Sequence, residues 1–260
     1  MFLYEVLSKN TKLANDVMTD SIGPLTSGLK SFDDVTGGFQ SGDIIILTSI
    51  DPILRAAFIN KVALNNSAYH RIPSVIFCSE MNAVDAAKQI MLSIDDFQVI
   101  PKNTPLYLEE TGNSSVSELK DRITKLRESS LIEIVIINSI DYAYKHLPVD
   151  KGERITGLFN FIRELRILAK KLKLVMILTA SAVKDFELPK EIAISEPLAD
   201  WLIEFGMMES SDDRDKRMIT VNKNGNNIAT LEAMFNRKRN RFYDVGENDE
   251  PPVLKKECKL

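Results

Sequence analysis

Residues 27–47 read SGLKSFDDVTGGFQSGDIIIL, and this stretch decides how the rest of the chain is interpreted. Its first part places glycines between charged and hydroxyl side chains. Its last part runs into Ile44–Thr48, an unbroken series of apolar and β-branched residues. A strand that is wet on one face alternates polar and apolar residues, whereas a strand buried on both faces does not. Ile44–Thr48 is therefore predicted to be a buried parallel strand.

Three later runs have the same uniformly apolar character and are predicted to be further buried strands: Ser74–Cys78, Ile134–Ile137 and Leu174–Thr179. The sequences between these runs show the spacing and capping residues of helices. The predicted helices are Ala83–Ser93 after a cap at Asn82, Glu118–Ser129 after a capping box at Ser115, and a long helix over 155–172. Alternating strands and helices predict an α/β fold with a mostly parallel central sheet flanked by helices.

The pattern changes after Ser195, where short strand-like segments follow one another without helices between them. They are Trp201–Phe205, Met218–Val221, Ala229–Phe235 and Arg241–Val245. The segment 223–226 reads Lys-Asn-Gly-Asn, and Asn-Gly favours the tight turn of a β-hairpin. The sequence therefore predicts an antiparallel C-terminal extension of the sheet.

Size and composition exclude several classes of protein. The 260 residues, 44% hydrophobic and 27% charged, suit one globular domain with short extensions. No apolar run reaches the roughly 18 residues of a membrane span, and the N-terminus lacks the pattern of a secretory signal, so we expect a cytoplasmic protein without membrane contact. Cys78 and Cys258 provide neither a disulfide framework nor a metal cluster. With a net charge of −4, contact with nucleic acid would require a local basic patch.

The stretch 27–47 resembles the start of the C-terminal motor domain of the DnaB replicative-helicase family, in which a TGxxxLDxxTGGLxxGD pattern leads into the first core strand. Similarity continues in later segments, namely 77–81, 105–142, 154–179, 198–203 and 218–243. The resemblance implies a RecA-like P-loop NTPase fold for residues 23–246. Residues 1–22 would form a linker-like helix, which either docks on a neighbouring subunit or packs on its own domain, and residues 247–260 a disordered tail.

The resemblance places a nucleotide-binding loop after Ile44–Thr48, beginning at Ser49. A P-loop needs glycine for close backbone approach to the phosphates, a lysine for the phosphate oxygens and a hydroxyl for Mg²⁺. The family's Gly-Lys-Thr falls on Leu54, Arg55 and Ala56, so the predicted Walker A loop is degenerate. Asp51 adds a negative charge beside the phosphate position. Arg55 either contacts phosphate or, as the favoured alternative, is a surface side chain paired with an acid such as Asp51.

Other positions that the family uses for ATP chemistry are also altered. The metal-orienting aspartate falls on Asn138, and the glutamine that senses the γ-phosphate falls on Ala180. The two basic residues that the family supplies to a neighbour's site fall on Val221 and Lys223. Glu80 matches the glutamate that activates the attacking water, so it is the one catalytic candidate. Its alternative role is that of a helix-start carboxylate.

The one concentrated basic segment lies at 236–241, where two terminal strands turn. It carries the candidate DNA-binding residues Arg237, Lys238, Arg239 and Arg241, and aromatic residues lie beside it at 235, 242 and 243. Basic and aromatic side chains together suit phosphate contact and base stacking. The alternative is a solvated hairpin turn whose aromatic side chains belong to the core.

These observations favour a pseudo-ATPase that acts by assembly or as an accessory factor in DNA replication. Its expected partners are copies of itself or a related helicase, in a homo- or hetero-oligomer, and single-stranded DNA. No cofactor and no metal are expected, and Mg-ATP would bind only if the degenerate loop still accepts it. The alternatives are a weakly active ATP-dependent helicase that uses Arg55 and Glu80, and a DNA-binding module without ATPase activity.

Overall fold

The computed structural model describes residues 25–79, 81–94, 103–111, 114–140, 151–182, 198–207 and 215–247. Three predicted features lie outside these residues: the linker-like helix 1–22, the candidate Glu80 and the tail beyond residue 247. No helix in the described part of the chain combines the length and hydrophobicity that crossing a membrane requires.

The described strands form one nine-stranded sheet in the order β3-β2-β4-β5-β1-β6-β7-β8-β9. Their bounds are β1 Ile44–Ser49, β2 Ser74–Cys78, β3 Leu106–Glu110, β4 Ile134–Asn138, β5 Val175–Ser181, β6 Trp201–Met207, β7 Lys216–Lys223, β8 Asn226–Asn236 and β9 Arg241–Asp244. β3, β2, β4, β5, β1 and β6 pair in parallel, and β6 to β9 pair antiparallel. The predicted α/β class with an antiparallel C-terminal extension is therefore confirmed.

Two strands differ from the sequence prediction. β3 was not predicted, because its residues Leu-Tyr-Leu-Glu-Glu are half-buried or exposed at the edge of the sheet and lack a uniformly apolar pattern. β6 was grouped with the antiparallel strands, but it pairs in parallel with β1, as Ile45 opposite Trp201 illustrates. A strand's composition indicates its burial and not its direction. The switch to antiparallel pairing therefore comes one strand later than predicted.

The described helices are α1 Lys30–Thr36, α2 Pro52–Leu64, α3 Ala83–Leu92, α4 Val116–Ser130 and α5 Lys151–Leu172, with a π-helical turn at Asn65–Tyr69 after α2. The predicted caps are present. The Asn82 side chain accepts a hydrogen bond from Asp85 N, and Ser115 and Glu118 form a reciprocal capping box. The predicted hairpin turn is also confirmed, because Asn224 and Gly225 both have positive φ, 49° and 77°.

The core lies in two layers, one on each face of the sheet. Ile45 and Leu47 point to the layer that contains α2, whereas Ile44 and Ile46 point to the layer that contains α4 and α5. All six residues of β1 are buried. This strand is therefore enclosed on both faces, as its uniformly apolar sequence predicted.

The polar residues of the stretch 27–47 hold the chain where it approaches β1. The Asp33 carboxylate accepts hydrogen bonds from Ser27 N at 2.7 Å and Gly28 N at 3.1 Å. Burial raises the pKa of Asp33, and these hydrogen bonds oppose that rise. Asp43 accepts a hydrogen bond from the Trp201 indole at 2.9 Å. Gly28 has a φ of +84°, and a Cβ there would lie 3.0 Å from the Asn65 side chain.

A residue from the far end of the chain caps the start of α1. The carboxylate of Asp244, in β9, accepts hydrogen bonds from Lys30 N at 2.7 Å and Ser31 N at 3.0 Å. It also accepts one from the Ser31 hydroxyl. Leu29, which occupies the N-cap position itself, contributes no side-chain hydrogen bond. Because Asp244 is only 9% exposed, these hydrogen bonds tie the first helix to the last strand away from bulk water.

We expect Asp244→Ala to destabilise the fold by about 2–3 kcal/mol, because it leaves two backbone N–H groups near the start of α1 without their charged acceptor. Urea unfolding followed by circular dichroism measures the change. Asp34→Ala is the matched control, because Asp34 is exposed and, among the described residues, forms its ion pair with Lys30. The control should leave the unfolding midpoint nearly unchanged. Equal midpoints for the two variants would contradict the capping role of Asp244.

Candidate functional site

The carboxyl ends of the parallel strands place the predicted nucleotide-site residues along one edge of the sheet. Ser49 at the end of β1 is opposite Ser181 of β5, and Asn138 at the end of β4 is opposite Cys78 of β2. Ala180 lies beside Ser181 on β5. In open α/β sheets, ligands bind outside this edge. The structure therefore brings Ser49, Asn138 and Ala180 together where a nucleotide site would lie.

The Asp51 carboxylate forms a hydrogen bond within the loop between β1 and α2. It is the N-cap of α2, and its side chain accepts a hydrogen bond from Ile53 N at 2.9 Å. Its backbone N–H donates to the Ser49 hydroxyl at 3.2 Å, and Pro52 occupies the first turn of the helix. Asp followed by Pro is a common helix-start pattern that could have predicted this boundary. The acid therefore uses one of the N–H groups that a phosphate would otherwise contact.

Arg55 is buried, with 3% of its surface exposed, and its Nη1 donates to the carbonyl oxygen of Ser49. The favoured interpretation of Arg55 as a surface side chain, paired with an acid such as Asp51, is therefore wrong in its surface position. The first turns of α2 pack against the sheet, which carries Arg55 inward. Leu54 and Ala56 are buried with it, at 2% and 7% exposure. The guanidinium group at the lysine position of the loop thus contacts the loop's own backbone.

Asp51 instead pairs with Arg237, which is remote in sequence. Arg237 Nη1 and Asp51 Oδ2 lie 2.8 Å apart, and the side chains are 58% and 31% exposed. No local sequence pattern indicated this pair, because the two positions are 186 residues apart. The contact joins the loop after β1 to the turn between β8 and β9.

The remaining altered positions have structural partners of their own. Asn138 Oδ1 accepts a hydrogen bond from Thr179 Oγ1 at 2.7 Å, and Ala180 is fully buried. Val221 is fully buried in the core layer that contains α2. Lys223 Nζ lies 4.4 Å from the centre of the Trp201 ring, a cation–π contact. Val221 and Lys223 thus contribute to packing within this chain.

The basic segment divides into an exposed turn and a buried strand. Arg237, Lys238 and Arg239 are exposed, and we call these three residues the basic turn. Asn236 Oδ1 accepts hydrogen bonds from the backbone N–H groups of Lys238 and Arg239 at 3.0 and 3.1 Å, which fixes the conformation of the turn. Arg241 is only 6% exposed, so it does not lie on the surface with the other three. This burial differs from its prediction as a DNA-binding residue.

The neighbouring aromatic side chains belong to the core. Phe235 and Phe242 are fully buried, with ring centres 5.0 Å apart. The interpretation of these two rings as core residues is therefore correct, and stacking on nucleic-acid bases is not open to them. Tyr243, the third aromatic residue beside the turn, is half-buried, so charges are the main groups that the turn offers to an anionic partner.

Neither a reactive thiol nor a metal site accompanies these groups among the described residues. Burial raises the pKa of Cys78 to about 11, with a smaller contribution from the Glu110 carboxylate, so the thiol remains protonated at neutral pH. No cluster of three or more His, Cys, Asp or Glu side chains suited to a metal ion occurs in the described part of the chain.

The chain is distantly similar to replicative helicases over most of its length. The probable replicative DNA helicase of Trieres chinensis is 22% identical over 244 residues, which cover 83% of this chain and 53% of that protein. The replicative DNA helicase DnaB of Buchnera aphidicola is 20% identical over 265 residues, which cover 86% of this chain and 56% of that protein. The chain thus spans about half the length of the curated relatives it matches. No family model matches it.

Solved structures with the same architecture confirm the RecA-like fold. A KaiC-like protein from Pyrococcus horikoshii superposes with a TM-score of 0.68 at 18% identity, covering 85% of this chain and 97% of that one. An ATPase domain superposes with a TM-score of 0.72 at 16% identity, covering 92% of this chain and 98% of that one. The sequence and structure comparisons agree on a DnaB-like RecA-fold domain.

We expect Arg55→Ala to destabilise the protein by about 2–4 kcal/mol, since it removes a buried side chain and leaves the Ser49 carbonyl oxygen without its guanidinium donor. Arg237→Ala, which removes the same charge from an exposed position, should produce a much smaller change. Urea unfolding of the two variants makes the comparison. If Arg55→Ala were no more destabilising than Arg237→Ala, the inward contact of Arg55 would be contradicted.

Proposed function

We propose that this chain is a pseudo-ATPase of the DnaB type, a RecA-fold domain that acts by assembly or as an accessory factor in DNA replication and not by nucleotide turnover. The observation that carries the proposal is the internal use of the phosphate loop. The Arg55 guanidinium is buried against the Ser49 carbonyl oxygen, and the Asp51 carboxylate caps α2. Both groups thus form hydrogen bonds with the backbone of the loop itself.

Nucleotide binding at such a loop would meet two electrostatic obstacles. A P-loop holds the β- and γ-phosphates with backbone N–H groups and a cation that reaches them. Here a phosphate would approach the negative charge of Asp51, which lies at the N-terminus of α2. The Arg55 guanidinium is buried, so it would have to move before it could compensate for that charge.

Metal binding is disfavoured by the same set of residues. Ala56 supplies no hydroxyl for Mg²⁺, and Asn138 is an uncharged amide whose oxygen already accepts a hydrogen bond from Thr179. The positions that the family supplies to a neighbour's site are the buried Val221 and the Trp201-bound Lys223. The substitutions therefore affect both sides of the subunit interface at which related helicases would complete an ATP site.

A role in assembly is supported by the scaffold that the chain shares with replicative helicases. The chain keeps the whole motor scaffold at about 20% identity to replicative helicases, and it spans about half of their length. Its proposed partners are therefore copies of itself or a related helicase. Native mass spectrometry of the chain alone and mixed with such a helicase reports the oligomer directly.

The proposal predicts that isothermal titration of the chain with Mg-ATP gives no saturable binding in the micromolar range, because the loop offers no free cation or metal ligand. Turnover should be absent with and without single-stranded DNA. Glu80→Gln is the control for contamination, since hydrolysis unaffected by that substitution does not come from this site. Micromolar binding, or hydrolysis that Glu80→Gln abolishes, would favour the alternative of a weakly active helicase.

A second candidate function, binding of single-stranded DNA, is favoured by the basic turn. Arg237, Lys238 and Arg239 are consecutive exposed cations on a turn whose backbone is fixed by Asn236. Such a cluster suits the phosphodiester backbone, and it carries no sequence preference because the adjacent phenylalanines are buried. This function is compatible with the first one.

Replacing Arg237, Lys238 and Arg239 together with Ala should weaken oligothymidylate binding and flatten its salt dependence. Each phosphate contact that is lost reduces the magnitude of the slope of log K against log salt by about 0.7. Fluorescence anisotropy at several salt concentrations measures both effects. A triple alanine variant of Arg163, Lys170 and Lys171, which are exposed on α5, changes net charge equally and serves as the control. Equal behaviour of the two triple variants would remove the candidate function.

A further inference from the structure

We infer that Asp51 is an internal competitor for the phosphate groups of single-stranded DNA at Arg237. The inference rests on the second candidate function, in which the basic turn contacts the phosphodiester backbone, and it adds a residue that limits that contact. It assigns the acid in the phosphate loop a role that neither nucleotide chemistry nor helix capping requires.

The geometry of the ion pair carries the inference. Asp51 is fixed at the start of α2, where one carboxylate oxygen, Oδ1, accepts a hydrogen bond from Ile53 N and the other, Oδ2, faces Arg237 at 2.8 Å. Hydrogen bonds from two backbone N–H groups to the Asn236 side chain fix the conformation of the basic turn. Because both partners are held by their own backbones, the ion pair forms without ordering two flexible segments. It therefore occupies the guanidinium of Arg237 when no other anion is present.

The pair remains open to exchange, because it lies at the surface. Arg237 is 58% exposed and Asp51 31%, so an incoming phosphate can reach the guanidinium without unfolding any element. Guanidinium binds carboxylate and phosphate with the same planar donors, so the two anions compete for one group. A phosphate that binds Arg237 through the same donor displaces the Asp51 carboxylate.

Counterion release makes this exchange measurable. While Arg237 stays paired with Asp51, it contacts no phosphate and releases no condensed cation from the DNA. Without the Asp51 carboxylate, Arg237 is available to a phosphate, and that contact releases a cation. Removal of Asp51 should therefore strengthen DNA binding and also steepen its dependence on salt.

Asp51→Ser tests the inference, because serine keeps a hydrogen-bond acceptor at the N-cap of α2 while removing the charge. We expect affinity for a fluorescent oligothymidylate to rise about two- to fivefold, the range of an exposed ion pair. We expect the slope of log K against log salt to become more negative by about 0.7. Asp34→Ser is the matched control: it also removes one carboxylate from an exposed ion pair, with Lys30, and should give neither change.

The Arg237→Gln background separates competition for Arg237 from general repulsion by Asp51. If the inference holds, Asp51→Ser gives no gain in affinity once Arg237 is Gln. A gain of equal size in that background would overturn the inference, as would equal affinities for Asp51→Ser and Asp34→Ser. Loss of binding in the basic-turn triple variant, together with either result, would leave the candidate function intact and reject only the role of Asp51.

The same measurements distinguish nucleic acid from an acidic protein as the partner. A polyglutamate peptide of matched charge carries carboxylates in place of phosphates. Weaker binding of that peptide than of oligothymidylate, with the gain from Asp51→Ser confined to the oligonucleotide, supports the assignment. Tighter binding of the peptide would overturn it, since the surface would then recognise an acidic chain.

Discussion

The enclosure of β1 is the constraint on which the rest of the structure depends. This strand is buried along its whole length and pairs in parallel with β5 on one side and β6 on the other. A strand in that position requires apolar residues toward both layers. Its pairing on both sides fixes the position of its carboxyl end. Ser49 therefore lies at the edge where β4 and β5 also end, and α2 begins beside it and covers the sheet. The geometry of the phosphate loop thus follows from the core.

Positions that keep the resemblance to replicative helicases differ in their physical role from positions that have lost it. Asp33 and Asp43 hold the chain before β1 through hydrogen bonds to backbone and indole N–H groups, and Gly28 occupies a left-handed conformation against Asn65. Substitution at these positions costs folding stability. Leu54, Ala56 and other altered positions are buried in roles that the fold tolerates. Under the proposed function, the fold has persisted at about 20% identity while the residues of one site changed together.

The sequence predicted the fold well where each residue acts locally. The strand pattern at Ile44–Thr48 and the capping box at Ser115 depend on neighbours within a few residues, and both are present. The direction of β6 and the partners of Arg55 and Asp51 depend on contacts between distant segments, which composition does not encode. Arg55 illustrates the limit: its charge indicated the surface, but its place on the inner side of α2 buried it. The residues predicted for the nucleotide site lie along one edge of the sheet, and their internal contacts were not predicted.

The loop after β1 has backbone groups that need hydrogen-bonding partners. In this chain those partners come from the protein: Arg55 donates to the Ser49 carbonyl oxygen, Asp51 accepts from the start of α2, and Arg237 neutralises Asp51. Of these contacts, the hydrogen bond from Ile53 N to Asp51 is the one that uses a backbone donor suited to a phosphate. Under the proposed function, the loop has a structural role, since its contacts connect β1, α2 and the turn after β8. This arrangement explains why the segment keeps its position in the fold without the residues of ATP chemistry.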